Sequence, residues 1–207
     1  MKLKNATWLG ACVLGAALLT LPEASSFAQS AADMQRVVTT INQEGKSAVL
    51  FNAPVDMKPL PAGAQPPGER LATVWATEKS PADFVWGADR AATVRGFGPP
   101  AGGSDMLIIE FQPAGPEIDK LPLDTLSKVV DDKPLRGLPP SHPLMHRTRT
   151  VDYVIVLSGE IDMILDTGTV HLKTGDVVVQ QATNHAWVNR GTVPCRLAVV
   201  MIDAREP

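Results

Sequence analysis

The residues best equipped for chemistry in this chain are two histidines and an aspartate. His146 and Asp152 lie in MHRTRTVDYVIVLSG, residues 145 to 159, and His185 lies in NHAWVN, residues 184 to 189. Two imidazoles and one carboxylate form the facial set that binds ferrous iron and similar divalent ions, leaving positions for substrate or dioxygen. Such a set works only if the carrying elements bring all three residues to one point. Side chains alternate along a strand, so His146, Thr148, Thr150, Asp152, Val154 and Val156 share one face, and His185, Trp187 and Asn189 share another. If both faces look into one interior, the three candidate ligands converge near its wide end. Asn189 or Gln180 can then orient a ligand from behind.

The elements around these residues read as strands. KSAVLFN (46 to 52), RLATVWAT (70 to 77), ATVRGF (92 to 97) and DMLIIEFQ (105 to 112) are rich in β-branched and aromatic residues and bounded by turn residues. The C-terminal half continues with VDYVIVLSG, EIDMILDTG, TVHLKTGD, VVVQQ, HAWVNRG and CRLAVVMID, joined by Gly-containing turns. Short, evenly spaced strands with tight turns predict an antiparallel sandwich or barrel. The proline-rich stretch 53 to 69 predicts a surface loop. Within a second long loop, 113 to 143, LDTLSKVVDD predicts a short helix with Asp124 as N-cap and Leu126, Val129 and Val130 on its buried side. Parity places Tyr153 and Arg149 outside, His171 reads as a surface residue, and His142 as a loop histidine. Trp187 offers an apolar platform for a ligand ring or, more simply, fills the core. Cys195 opens an apolar strand and reads as a small buried hydrophobe.

The N-terminus, MKLKNATWLGACVLGAALLTLPEASSFAQS, has two early lysines, an uncharged apolar run and small residues near Ala28. This is the pattern of a cleavable signal peptide over residues 1 to 28, and the apolar run is shorter than the roughly 20 residues that span a bilayer. A periplasmic or secreted protein without a stable membrane anchor is expected, with one domain over residues 36 to 207. Cys12 leaves with such a signal, so Cys195 stands alone and no internal disulfide forms. A formal charge of −3 and the lack of a basic block argue against nucleic acid as a partner.

The order of residues over about 140 to 203 resembles the cupin superfamily. HRTRTVDYVIVLSG is similar to the family's first motif, G-x5-H-x-H-x3-4-E-x6-G, with His146 at the first histidine, Asp152 at the glutamate and Gly159 at the closing glycine. GDVVVQQATNHAWVN is similar to the second, G-x5-P-x-G-x2-H-x3-N, with Gly175, His185 and Asn189 in place. Thr148 stands where the second histidine belongs, Asp152 is one methylene shorter than glutamate, Gln180 and Ala182 replace the proline and glycine, and the spacing before His185 is one residue short. The resemblance implies an all-β, antiparallel jelly-roll barrel and a homodimer. It leaves two readings open. In one, His146, Asp152 and His185 hold Fe, Mn, Zn or Ni in an enzyme of dioxygenase, isomerase or decarboxylase type, with Thr148, Gln180, Trp187 and Asn189 against the substrate. In the other, a metal-free interior binds a small organic molecule through the same side chains.

Overall fold

The computed structural model of the chain describes residues 34–60, 68–93, 98–130 and 139–206. The expected signal segment and residues 94–97 of the expected strand 92–97 lie outside them, and Ala92 and Thr93 end a 3-10 turn, Arg90–Thr93, instead of starting a strand. Eleven strands are present among the described residues: β1 Gln35–Ile41, β2 Ser47–Pro54, β3 Lys58–Pro59, β4 Arg70–Thr77, β5 Ser104–Phe111, β6 Thr150–Ser158, β7 Glu160–Leu165, β8 Gly168–Lys173, β9 Val177–Gln181, β10 Ala186–Val188 and β11 Cys195–Asp203. The fold is all-β and every strand pair is antiparallel.

Pairing divides the strands into a hairpin, β1-β2, a three-stranded sheet, β10-β7-β8, and a six-stranded sheet, β3-β4-β5-β11-β6-β9. The two larger sheets face each other across one core. Leu107, Ile109, Phe111, Val154, Leu197 and Val199 come from the larger sheet and Ile161, Met163, Leu172 and Trp187 from the smaller. Burying each such side chain contributes about 1.5–3 kcal/mol. Among the described residues the pairing gives separate sheets and not one closed barrel; they meet by side chains, by the isolated bridge of His146 with His185, and by a backbone bond from Ala114 N–H to the Asn189 carbonyl. That bridge is too short to extend into a ladder, because Pro143 precedes His146 by three residues and the chain bends at Arg149.

Alternation within β6 follows from the sequence as expected. Thr150, Asp152, Val154 and Val156 are buried, while Tyr153, Ile155 and Leu157 face out. Leu144 and Met145 are fully buried in a second core with Ile118, Ala186 and Val188, on the far side of the smaller sheet. This plug holds the approach to β6 in place. Of the predicted helix within 123 to 132, the described residues, 123 to 130, form a run of hydrogen-bonded turns instead. Lys128 N–H reaches the Asp124 carbonyl and Val130 N–H reaches that of Leu126, with no continuous ladder between them, and Val129 is 72% exposed. A strand that the sequence reading missed, β1, alternates weakly because Thr39 and Thr40 interrupt its apolar residues. The proline-rich loop contains β3, short enough to escape pattern reading.

Two turn positions show how backbone geometry constrains the motif region. Gly159 adopts φ +75°, and a Cβ there would lie 2.7 Å from the Pro194 carbonyl oxygen, so only glycine fits between β6 and β7. Ala182, which stands at the second motif's glycine position, keeps the left-handed backbone with φ +52°. An L-residue in that region is strained by about 1–2 kcal/mol, while glycine's extra unfolded-state entropy costs about 0.5–1 kcal/mol. Ala182→Gly is therefore expected to stabilise the protein by about 0.5–1 kcal/mol, read as a shift in the urea midpoint at unchanged slope.

Candidate functional site

His146 and His185 face each other across the bridge. The His146 N–H donates to the His185 carbonyl at 2.9 Å and the His185 N–H returns to the His146 carbonyl at 3.1 Å. Directly opposed residues of an antiparallel pair project to the same side, and the two rings lie with centroids 4.4 Å apart at 53°. The edge of Trp187 closes one flank, 6.0 Å from His185. Both histidines are buried, at 8% and 3% exposure.

Local hydrogen bonds set the state of each ring. His146 Nδ1 lies 3.0 Å from the Leu144 carbonyl and His185 Nδ1 lies 3.0 Å from the Thr183 carbonyl. A carbonyl can only accept, so each Nδ1 carries the proton and each Nε2 presents a bare lone pair. Among the described residues neither Nε2 has a hydrogen-bond partner. Burial lowers the pKa of both rings, and for His185 the nearby His146 adds to the effect, pushing it down to about 3. The pair is therefore neutral near pH 7 and offers two acceptor nitrogens side by side. This is the arrangement in which histidines ligate metals or accept a proton-bearing ligand atom.

The third expected ligand does not complete a metal site. Asp152 is on the same inner face and 4% exposed, but among the described residues no three His, Cys, Asp or Glu side chains come together to hold an ion. The donor set supplies two of the three ligands of a facial triad. Thr148, at the place of the family's second histidine, bonds its hydroxyl to that of Thr150 at 2.7 Å, and a threonine hydroxyl is a poor ligand for a transition ion in any case. Burial pushes the Asp152 carboxyl up to about 6, against the opposing effect of the Thr150 hydroxyl, and its Oδ1 has no hydrogen-bond partner. An orphaned buried acceptor costs about 1–3 kcal/mol.

The other candidates divide between fold and site. Asn189 Nδ2 donates to the Phe111 and Val193 carbonyls at 3.0 and 2.8 Å, and its Oδ1 accepts from the Gly191 N–H. Its amide is committed to tying β5 to the turn after β10, which leaves it no donor for a substrate. Gln180 donates to the Thr183 carbonyl and hydroxyl, 3.0 and 2.5 Å away, and so holds the turn that presents His185. Trp187 is a member of the main core as well as a wall of the histidine pair. His142 is not a free loop histidine. Its Nε2 lies 3.0 Å from Asp119 and its Nδ1 accepts from the Leu144 N–H, so it clamps the segment leading to His146. Cys195 is buried and inert, with its thiol pushed up to about 12. A groove of about 350 Å³ lies elsewhere, between β1 and the segment 83–86, lined by Val37, Val74, Trp75, Phe84 and Trp86. No group of the histidine site reaches it.

One inward acid was missed by the sequence reading. Asp105 is 1% exposed, and burial raises its carboxyl above the usual range. The alternation Asp105, Leu107, Ile109, Phe111 was the available signal, since it puts a carboxyl on the same face as three core residues.

The shifts on His185 and Asp152 oppose each other in acid. The depressed His185 contributes stability that is present above its unfolded value of 6.5 and lost as pH falls toward about 3. The raised Asp152 contributes stability that is present below its unfolded value of 3.8 and lost as pH rises through about 6. Between pH 6.5 and 5 the histidine term amounts to roughly 2 kcal/mol lost, offset by roughly 1 kcal/mol from the aspartate. Denaturant titrations at pH 7 and pH 5 are expected to show a smaller acid loss for His185→Gln than for the wild type and a larger one for Asp152→Asn. Equal losses in all three proteins would contradict the assigned environments.

The sequence family described as Cupin domain matches residues 135–202, which contain both histidines. The chain is 33% identical over 172 residues to the phomopsin biosynthesis cluster protein C' of Diaporthe leptostromiformis, covering 82% of this chain and 78% of that protein. It is 44% identical over 66 residues to a cupin-domain-containing oxidoreductase of Neurospora crassa, covering 30% of this chain and 34% of that protein. Among solved structures it aligns with the Cnp3 cupin domain of Schizosaccharomyces pombe at 10% identity and a TM-score of 0.41, over 82% of this chain and 87% of that one. With the family match falling on the bridged histidine pair and the long relatives spanning most of both chains, this protein belongs to the cupin superfamily.

Proposed function

We propose that the inner face between the two sheets binds a small organic molecule, with an enzymatic role supported by the names of its partial relatives, cupin-domain oxidoreductases. The observation that carries this reading is the pair of neutral, buried imidazoles with bare Nε2 atoms. Two acceptors held rigidly side by side, flanked by an indole edge, suit a ligand that presents a hydroxyl or N–H group from an apolar body. The side chains that do not touch the ligand have supporting work. The Leu144 and Thr183 carbonyls hold the tautomers, and Gln180 and His142 hold the segments that carry the rings.

The metal-dependent reading is the second one, favoured by the same two nitrogens and by the relatives' names. It needs a third donor, and the residues present do not assemble one. Elemental analysis of untagged protein, purified and reconstituted with Fe, Mn, Zn or Ni with and without air, separates the two. Less than about a tenth of an equivalent of metal, unchanged by His185→Ala, is the expected result. About one metal per chain, lost in His185→Ala, would establish the second reading.

A homodimer belongs to the proposal. The outer faces of β6 and the edge strand β9 present Tyr153, Ile155, Leu157, Val177 and Val179, each 38% or more exposed. A contiguous apolar face beside an unpaired edge suits a second copy of the same chain. Light scattering is expected to give twice the chain mass for the wild type and a single chain mass for a Val177→Lys, Val179→Lys variant.

A further inference from the structure

The inner face carries an acid row that joins the first motif's Asp152 to Asp105, an acid outside both motifs. Asp105 on β5 pairs with Met201 on β11, Met201 with Asp152 on β6, and Asp152 with Gln180 on β9. Paired residues project to the same side of a sheet, and Met201 and Leu107 belong to the main core. Asp105 and Asp152 therefore both face inward, two strands apart with one thioether between them, so that their backbones are about 10 Å apart. Asp105 is 1% exposed and neither of its carboxyl oxygens has a hydrogen-bond partner. Asp152 is 4% exposed and its Oδ1 has none.

Buried carboxyls are normally paired, and nothing among the described residues pairs these oxygens. Among the described residues the two buried arginines, Arg36 and Arg196, are engaged with Asp89 and Glu110, and no lysine is buried. Both inward imidazoles are neutral and turn an acceptor, not a donor, toward the interior. Three orphaned carboxyl oxygens and two bare ring nitrogens make an interior whose open valences accept hydrogen bonds. A partner that completes them must bring N–H donors, and positive charge suits two acids better than a neutral hydroxyl does.

We propose that the Asp105–Asp152 pair is a binding site for a small molecule bearing a protonated amine. This rests on the reading of the inner face as a ligand site; its deciding measurements are the preference for an amine and the loss of that preference on changing an acid, with no metal involved. Three probes share one ring and differ in their head group: benzylamine, benzyl alcohol and benzoate. Calorimetric titration of the full chain is expected to show saturable benzylamine binding about tenfold or more tighter than benzyl alcohol, and no benzoate binding. Asp105→Asn is expected to lose about tenfold or more in benzylamine affinity while raising the thermal midpoint of the ligand-free protein, because a near-isosteric amide removes an unpaired buried acid.

An acid that serves only the fold would behave the other way, with Asp105→Asn lowering the midpoint and leaving the affinity unchanged. That result overturns the proposal, as does equal binding of benzylamine and benzyl alcohol or the lack of saturable amine binding. If Asp105→Asn does not fold, Asp152→Asn carries the same comparison. Benzyl alcohol binding that is lost in His185→Ala, without preference for the amine, would leave the inner-face ligand site standing and remove the amine assignment alone.

Discussion

The site depends on two carbonyl oxygens, those of Leu144 and Thr183, that accept the Nδ1 protons of His146 and His185. Each lies two residues before its histidine, so the ring is tied to its own segment and turns with it. With both Nδ1 atoms occupied, the rings can present only unprotonated nitrogen to the interior. Burial then makes protonation unfavourable, and the 4.4 Å separation of the rings makes a second charge worse. The backbone carbonyls thus choose the tautomer, and burial keeps both rings neutral, so the pair is acceptor-only before any ligand is considered.

That geometry is held from both sides. On the His146 side, Leu144 and Met145 are driven into the second core and His142 clamps the segment against Asp119. On the His185 side, Gln180 spans the turn to Thr183, and Ala182 takes up a left-handed conformation that an alanine ordinarily avoids. The reciprocal bridge between the two histidines joins these halves where the larger sheet approaches the smaller one. Strain is tolerated at Ala182 because the surrounding pairing, Ala182 N–H to the Thr150 carbonyl among it, leaves the chain no relaxed alternative.

The departures from the family's motifs now have physical content. Thr148 closes a hydrogen bond with Thr150 in place of offering a third imidazole, and the shorter carboxyl of Asp152 does not join the ring nitrogens in a common cluster. What remains inside is a polar interior short of donors, and among the described residues the buried cations are committed elsewhere. The two unpaired acids cost stability in the ligand-free protein, and sites that sacrifice stability in this way are commonly those that something else must complete.

Most of the fold was legible in the sequence because a half-buried strand leaves a period-two trace. β4, β9 and β11 begin and end where the β-branched runs do, and the parity of β6 correctly separated Asp152 from Tyr153. Weak alternation hid β1, and local propensity overstated a helix at 123 to 132, where the described residues, 123 to 130, bury too little apolar surface to hold one. Burial of His146 and His185 together could also be anticipated, since each shares a face with core residues. The sequence did not determine which neighbours those side chains meet. Whether Asp152 reaches the imidazoles, whether Asn189 serves a ligand or the backbone, and that Asp105 lies in one row with Asp152 are set by strand register across chain separations of tens of residues. Parity along one strand says which way a side chain points, while contact depends on how separate strands align, and only the assembled sheets decide that.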